Sequence, residues 1–155
     1  MEDPKCLKSV ADFHRTFKHP ILPTPQIPAE QRAKLRVSLL AEELKELQEG
    51  IENKDIVEVA DALADLQYVL SGAILEFGLA DKFKAIFDEV QRSNMSKACK
   101  SQAEAEATIA HYQAKGEEAY FKQEGDLYLV FRKADNKTLK SVAYSPADLA
   151  SIVNS

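Results

Sequence analysis

Apolar residues along most of this chain recur at helical spacing, and only a stretch near the C-terminus alternates instead. A short amphipathic segment, residues 8–17, leads into KHPILPTPQIP. The four prolines of that run, Pro20, Pro23, Pro25 and Pro28, exclude a continuing helix and favour a stiff, extended loop. Helix-period sequence then runs from Ala29 to Asn53 and from Asp55 to Phe77, with Gly78 placed to end the second helix. Another helix is expected from about Asp81, where Phe83, Ile86, Phe87 and Val90 fall at i, i+3, i+4 and i+7.

After Lys97 the texture changes. Ser101 and Glu104 form a capping-box pattern that opens a helix to Lys115, stopped by Gly116. Three β-rich runs follow, AYFKQ, LYLVFR and TLKSVAY, separated by QEGD and KADNK turns. Ser145-Pro146 then predicts the start of a short last helix. The fold expected is mainly α: a four-helix-type bundle over residues 1–100 and a small α/β appendage over 101–155 containing a short antiparallel β-meander.

Composition narrows the class. At 155 residues the chain suits one compact domain more than two. Two distant cysteines, Cys6 and Cys99, match no metal or redox spacing and fit a reducing, cytoplasmic setting. No apolar run reaches about 18 residues, so no membrane span is expected. A net charge of −5 disfavours a general binder of nucleic-acid polymers. The charge is also uneven: Leu40 to Asp65 holds nine acids and two bases, a local −7.

On a wheel of about 100° per residue, Leu40, Leu44, Leu47 and Ile51 form the apolar stripe of the first long helix. Glu42, Glu43 and Glu46 fall off both that stripe and the wet face, beside Leu35 and Leu39. This helix alone is compatible with a partly enclosed row of acids or with a solvated acidic flank. The second long helix is apolar nearly all round, as a helix buried on most sides would be. Its acids Glu58, Asp61 and Asp65 make one narrow stripe at i, i+3 and i+7. Buried carboxylates that repel one another need protons, bases or a cation, and few bases lie near in sequence. With only oxygen donors at ligand spacing, the cation expected is Mg²⁺, with Mn²⁺ the alternative. Because Mg²⁺ usually keeps waters and takes phosphate oxygens, such a site points to a phosphorylated ligand. RSNMSKACK could supply donors for it, among them Asn94 and Lys97, although a basic helix C-terminus also accounts for the charges there.

The motif Glu42-Glu43-x-x-Glu46, eleven residues, then Glu58-x-x-Asp61 resembles the EExxE…ExxD signature of the all-α nucleoside triphosphate pyrophosphohydrolases. DALADLQYVLSGAILEFG and EVQRSNMSK are similar to the MazG-like branch with a phosphoribosyl-ATP pyrophosphohydrolase-like domain, over roughly residues 8–100. The resemblance implies that Glu43, Glu46, Glu58 and Asp61 bind Mg²⁺. It implies that Glu42, with Glu46, serves the attack of water on the α-phosphorus of a nucleoside triphosphate, releasing pyrophosphate. It also implies a homodimer or larger homo-oligomer.

Asp65 is open to two roles, a contact to ribose or a partner for a base. Asn94 and Lys97 are the expected phosphate or sugar contacts. His14 and Phe17, with Phe13, form either a stacking wall for the nucleobase or ordinary core. A deoxynucleotide such as dUTP or dCTP is one substrate class compatible with the motif, and phosphoribosyl-ATP of histidine biosynthesis is the alternative. A non-catalytic helical dimer binding metal or nucleotide is the reading of another class.

Overall fold

The computed structural model describes residue 2 and residues 4–155. Its elements are α1 (Cys6–Phe17), α2 (Glu30–Asn53), α3 (Ile56–Glu76), α4 (Phe83–Met95), α5 (Gln102–Gln113), β1 (Ala119–Glu124), β2 (Leu127–Arg132) and α6 (Leu149–Val153). They sort into two compact units, one ending at Lys84 and one running Ala85–Val153. The architecture is mainly helical with a small C-terminal sheet, as the periodicity predicts.

The first unit is built on an α2–α3 hairpin. Lys54 takes the left-handed conformation and closes α2, and the Asp55 side chain then accepts hydrogen bonds from the backbone N–H groups of Val57 and Glu58. With only these two residues between them, the helices run antiparallel. A Cβ on Gly50 would sit 3.1 Å from the Val59 nitrogen, so glycine lets the helices approach closely at that end. Contacts then recur in seven-residue steps along α2: Gly50 beside Val59, Glu43 near Asp65, and Arg36 over Gly72. That step is the seam of a coiled coil.

The seam is not the apolar stripe that the wheel suggests. Arg36 and Gly50 are buried on it, whereas Leu44 and Ile51 are 59% and 60% exposed. The rotation of α2 is fixed by a buried ion cluster. Glu76, wholly buried at the end of α3, accepts hydrogen bonds from Arg32 (Nε, 3.0 Å) and Arg36 (Nη2, 2.5 Å). Burial opposes ionisation of Glu76, but the two guanidiniums outweigh it and hold its pKa below the usual carboxylate value. Gly72 leaves the space through which Arg36 passes, since a Cβ there would fall 2.6 Å from Nη1.

Helix α1 packs Val10 and Ala11 on Leu75, with Ile21 and Ala80 alongside. The proline loop follows α3 to its end, with Leu22 N–H donating to the Leu75 carbonyl and Gln26 N–H to that of Phe77. Gly78, at φ +68°, ends this stretch where a side chain would strike the Thr24 carbonyl. Helix α3 is more open than its composition suggests, because α1 and α2 cover only part of it. Ile56 and Val57 are three-quarters exposed, and Leu63 and Leu70 are exposed as well.

The second unit takes in α4, which the sequence grouped with the helices before it. Arg92 donates to the Ser145 hydroxyl and the Pro146 carbonyl, Ser93 shares a hydrogen bond with Tyr144, and Asp148 N–H donates to Glu89. Strands β1 and β2 form an antiparallel hairpin, Ala119 opposite Arg132 and Glu124 opposite Leu127. Cys99, Ala105, Ala119, Val130 and Leu139 make its core.

The expected meander stops at two strands. Thr138 makes one bridge to Phe131, after which the third run turns away from β2. Leu139 N–H still donates to the Val130 carbonyl, but beyond it Lys140 donates to the Tyr112 hydroxyl, Ser141 to the Lys97 carbonyl and Val142 to the Thr108 hydroxyl. The last helix also starts later than predicted. Asp148, not Ser145, accepts from its first turn at Ser151, because Ser145 is engaged with Arg92 and Ser96.

Replacing Glu76 with leucine strands Arg36 in the core and is expected to cost about 3–5 kcal/mol. Urea unfolding measures this against Arg15→Ala, whose exposed pair with Asp12 is worth under about 1 kcal/mol. Equal losses in the two variants would contradict the role assigned to Glu76.

Candidate metal-binding groove

The hairpin register brings the carboxylates of α2 and α3 to one side. Glu46, Glu49 and Asn53 from α2 face Glu58 and Asp61 from α3 across a groove of about 340 Å³. The i, i+3 and i+7 spacings place these residues on successive turns of each helix, so the two rows run along the groove together. Glu49 and Asn53 are additions that the sequence reading missed. Their position one and two turns past Glu46 was the available signal. Glu49 is partly neutralised by Lys45 at 3.2 Å.

Glu43 lies one turn before Glu46 and is the enclosed member of the set. One of its oxygens, Oε2, is buried with no hydrogen-bond partner among the described residues. Burial, then the charges of Glu46, Asp65, Glu42 and Asp61, push its carboxyl above the usual pKa. The crowding therefore reaches across both helices. Glu42, Glu46, Glu58, Asp61 and Asp65 themselves lie at the surface. The expectation that the α3 stripe is buried is corrected here, because α3 has too few neighbours to enclose it. The case for a cation rests on Glu43 and on the crowding of like charge, not on three buried acids.

The donor set fits a hard divalent cation. It is all oxygen, and among the described residues none of Glu42, Glu43, Glu46, Glu58, Asp61 and Asp65 has an ion-pair partner. Neither do any three His, Cys, Asp or Glu side chains among the described residues already surround one ion-sized point. Uncompensated carboxylates repel, so a spread arrangement is what electrostatics demands of them. Asp65 was expected to pair with a base or meet a sugar. No such base is found among the described residues, and the Asp65 charge is one of those that raise the Glu43 carboxyl.

The other predicted contacts separate. His14 is buried: Nδ1–H donates to the Pro20 carbonyl at 2.9 Å, and Nε2 lies against Gly72. Burial lowers its pKa, and the nearby Arg36 charge acts in the same direction. It belongs to the core and offers no free face to a base. Phe17 is exposed and packs on Phe13 at 4.4 Å, and Phe13 in turn stacks on His19 and meets Tyr68 edge-on. Asn94 and Lys97 lie in the second unit, where Lys97 Nζ donates to Asn94 Oδ1 at 2.8 Å.

Both carboxylate helices lie inside a match to a known family. The phosphoribosyl-ATP pyrophosphohydrolase family matches residues 10–94, more than half of the chain, and the chain belongs to that family, within the MazG-like all-α nucleoside triphosphate pyrophosphohydrolases. Membership supports pyrophosphohydrolase chemistry on a nucleotide phosphoanhydride. An uncharacterised protein of Acanthamoeba polyphaga mimivirus is 30% identical over 94 residues. That stretch is 58% of this chain and 38% of the viral protein, so the chain spans well under half the length of that relative. No helix among the described residues is long and apolar enough to cross a membrane.

The raised pKa of Glu43 fixes a sign. Between the unfolded value and the higher folded one, the native state holds more protons than the unfolded state, so stability falls as pH rises through that window. In chelator-treated protein, the stability of wild type relative to Glu43→Gln, measured by thermal unfolding, is expected to fall as pH rises through that window, because depressed carboxylates such as Glu76 contribute their opposite slope to both proteins alike. A variant that leaves the slope unchanged would refute the crowding.

Proposed function

We propose that this chain hydrolyses a nucleoside triphosphate to a nucleoside monophosphate and pyrophosphate, with Mg²⁺ held by Glu43, Glu46, Glu58 and Asp61. The observation that carries it is the partnerless buried oxygen of Glu43, amid four like charges that span both helices. A bound cation supplies what that arrangement lacks, neutralising the carboxylates and the phosphate oxygens together. The helices hold the two carboxylate rows in a fixed register, so positioning is settled before substrate arrives. Glu42 accepts a hydrogen bond from the attacking water and orients it toward the α-phosphorus. The new P–O bond forms there as the bond to the bridging oxygen breaks, and pyrophosphate leaves. Phe17 and Phe13, exposed beside the proline loop, are the proposed apolar contact for the base; Asp65 is the proposed sugar contact.

The substrate class proposed is a canonical or deoxynucleoside triphosphate such as dUTP or dCTP. Phosphoribosyl-ATP is the second reading, favoured by the name of the matching family. Asn94 and Lys97 are proposed as phosphate contacts on the strength of their donors. The unpacked apolar residues Leu44, Ile51, Ile56 and Val57 support assembly with a second copy, and a cytoplasmic setting is proposed on the two cysteines that match no disulfide framework.

Pyrophosphate release from a panel of ribo- and deoxyribonucleoside triphosphates and phosphoribosyl-ATP tests the proposal. Turnover with Mg²⁺ or Mn²⁺ is expected to vanish on chelation and to fall about a hundredfold or more in Glu46→Gln. Metal-independent turnover, or full activity in that variant, would overturn it. Light scattering on the eluting protein is expected to give at least twice the 17.3 kDa chain mass, and a monomer would refute the assembly.

A further inference from the structure

The C-terminal unit carries a basic recess that the carboxylate chemistry does not use. It has a volume of about 380 Å³, and its wall joins the end of α5 to the segment that leaves the sheet after Thr138. Four side chains define it: Tyr112 and Lys115 from the α5 end, Lys140 and Tyr144 from the returning segment. Lys140 Nζ stands 4.5 Å from the centre of the Tyr144 ring, and Lys115 Nζ stands 5.8 Å from that of Tyr112. The rings are themselves fixed. The Tyr112 hydroxyl accepts from Lys140 N–H, and the Tyr144 hydroxyl is bonded to Ser93.

In the same unit Arg92, Arg132 and Lys133 each hold a carboxylate, and Lys122 stands 6.0 Å from the centre of the Tyr120 ring. Among the described residues, Lys115 and Lys140 have aromatic faces for partners and no acid. Glu104, which meets the recess wall through Ser141, accepts from the Ser141 hydroxyl and from Lys100 N–H. His111 also lines the recess and can add a donor. A cation placed over a ring keeps its charge and its remaining N–H donors, and loses side-chain freedom before any ligand arrives.

Complementing the α5 dipole accounts for Lys115 at the helix C-terminus. It does not account for Lys140, which arrives from 25 residues further along the chain. Its own N–H donates to the Tyr112 hydroxyl, which holds this lysine against the end of α5. We propose that this recess binds a phosphate-type polyanion, with Lys115 and Lys140 as the paired ammonium contacts. The shared chemistry is a pyrophosphoryl group. It could come as free pyrophosphate or as the phosphate tail of a nucleotide. The proposal rests on the second unit's own side chains and is independent of the carboxylate groove.

The test is ¹⁵N-NMR titration of the full chain in chelating buffer, with inorganic pyrophosphate, a nucleoside triphosphate and the unphosphorylated nucleoside as separate probes. Pyrophosphate is expected to shift the amides of residues 111–116 and 140–144. Lys140→Gln and Lys115→Gln are each expected to weaken binding at least tenfold, while Glu46→Gln leaves it unchanged. Equal affinity for pyrophosphate and the triphosphate assigns the site to the phosphate group, and tighter triphosphate binding assigns it to the nucleotide tail. Both substituted lysines are exposed, and the spectra themselves report folding. No pyrophosphate binding by folded wild type would overturn the proposal. So would shifts confined to α2 and α3, or binding equally strong in both lysine variants.

Discussion

Like charge held together by force of packing is the constraint on which the rest of this structure depends. Carboxylates on two neighbouring helices would separate if the helices were free to rotate or slide. Three features prevent it. Asp55 caps α3 immediately after α2 ends, Gly50 lets the helices touch, and Glu76 ties the far end to Arg32 and Arg36. Between those anchors Glu43 has no choice but to face Asp65, Asp61 and Glu46. The packing that fixes the fold thus holds like charge together, and a divalent cation is the counter-charge proposed to relieve it.

The ion cluster at Glu76 also explains why α2 presents the face it does. A helix buried by its leucines would turn Leu44 and Ile51 inward. This one turns Arg36, Glu43 and Gly50 inward and leaves those leucine-stripe residues on the surface. The same rotation that aligns the acids therefore creates an apolar face on the outside. Groove and proposed subunit contact are two consequences of one choice of register.

Much of this was legible in the chain. The helix ends came from local chemistry: Gly78 and Gly116 do adopt positive φ, and the Ser101 hydroxyl does accept from Glu104 N–H. The paired acid motif located the groove, because spacing along a helix survives whatever the helix packs against. What escaped was set by partners distant in sequence. Glu76 stands alone in the apolar run SGAILEF, a signal that it must be paired, but Arg32 and Arg36 lie about forty residues earlier. His14 reads equally as an aromatic wall or as core, and only the Pro20 carbonyl and Gly72 decide it. TLKSVAY has β composition, and Leu139 N–H does donate to the Val130 carbonyl of β2, but Ser141 N–H goes to the Lys97 carbonyl and the pairing ends there. The exposure of the α3 acids was misjudged because composition reports how apolar a helix is, not how many neighbours it has.

Paramagnetic broadening by Mn²⁺ tests the central claim most directly, since it locates a cation without requiring turnover. At substoichiometric Mn²⁺, the amide signals of residues 42–49 and 58–65 should broaden first, and Mg²⁺ should compete the effect away. Uniform broadening, or broadening centred on any other part of the chain, would contradict the assignment of the groove as a metal site.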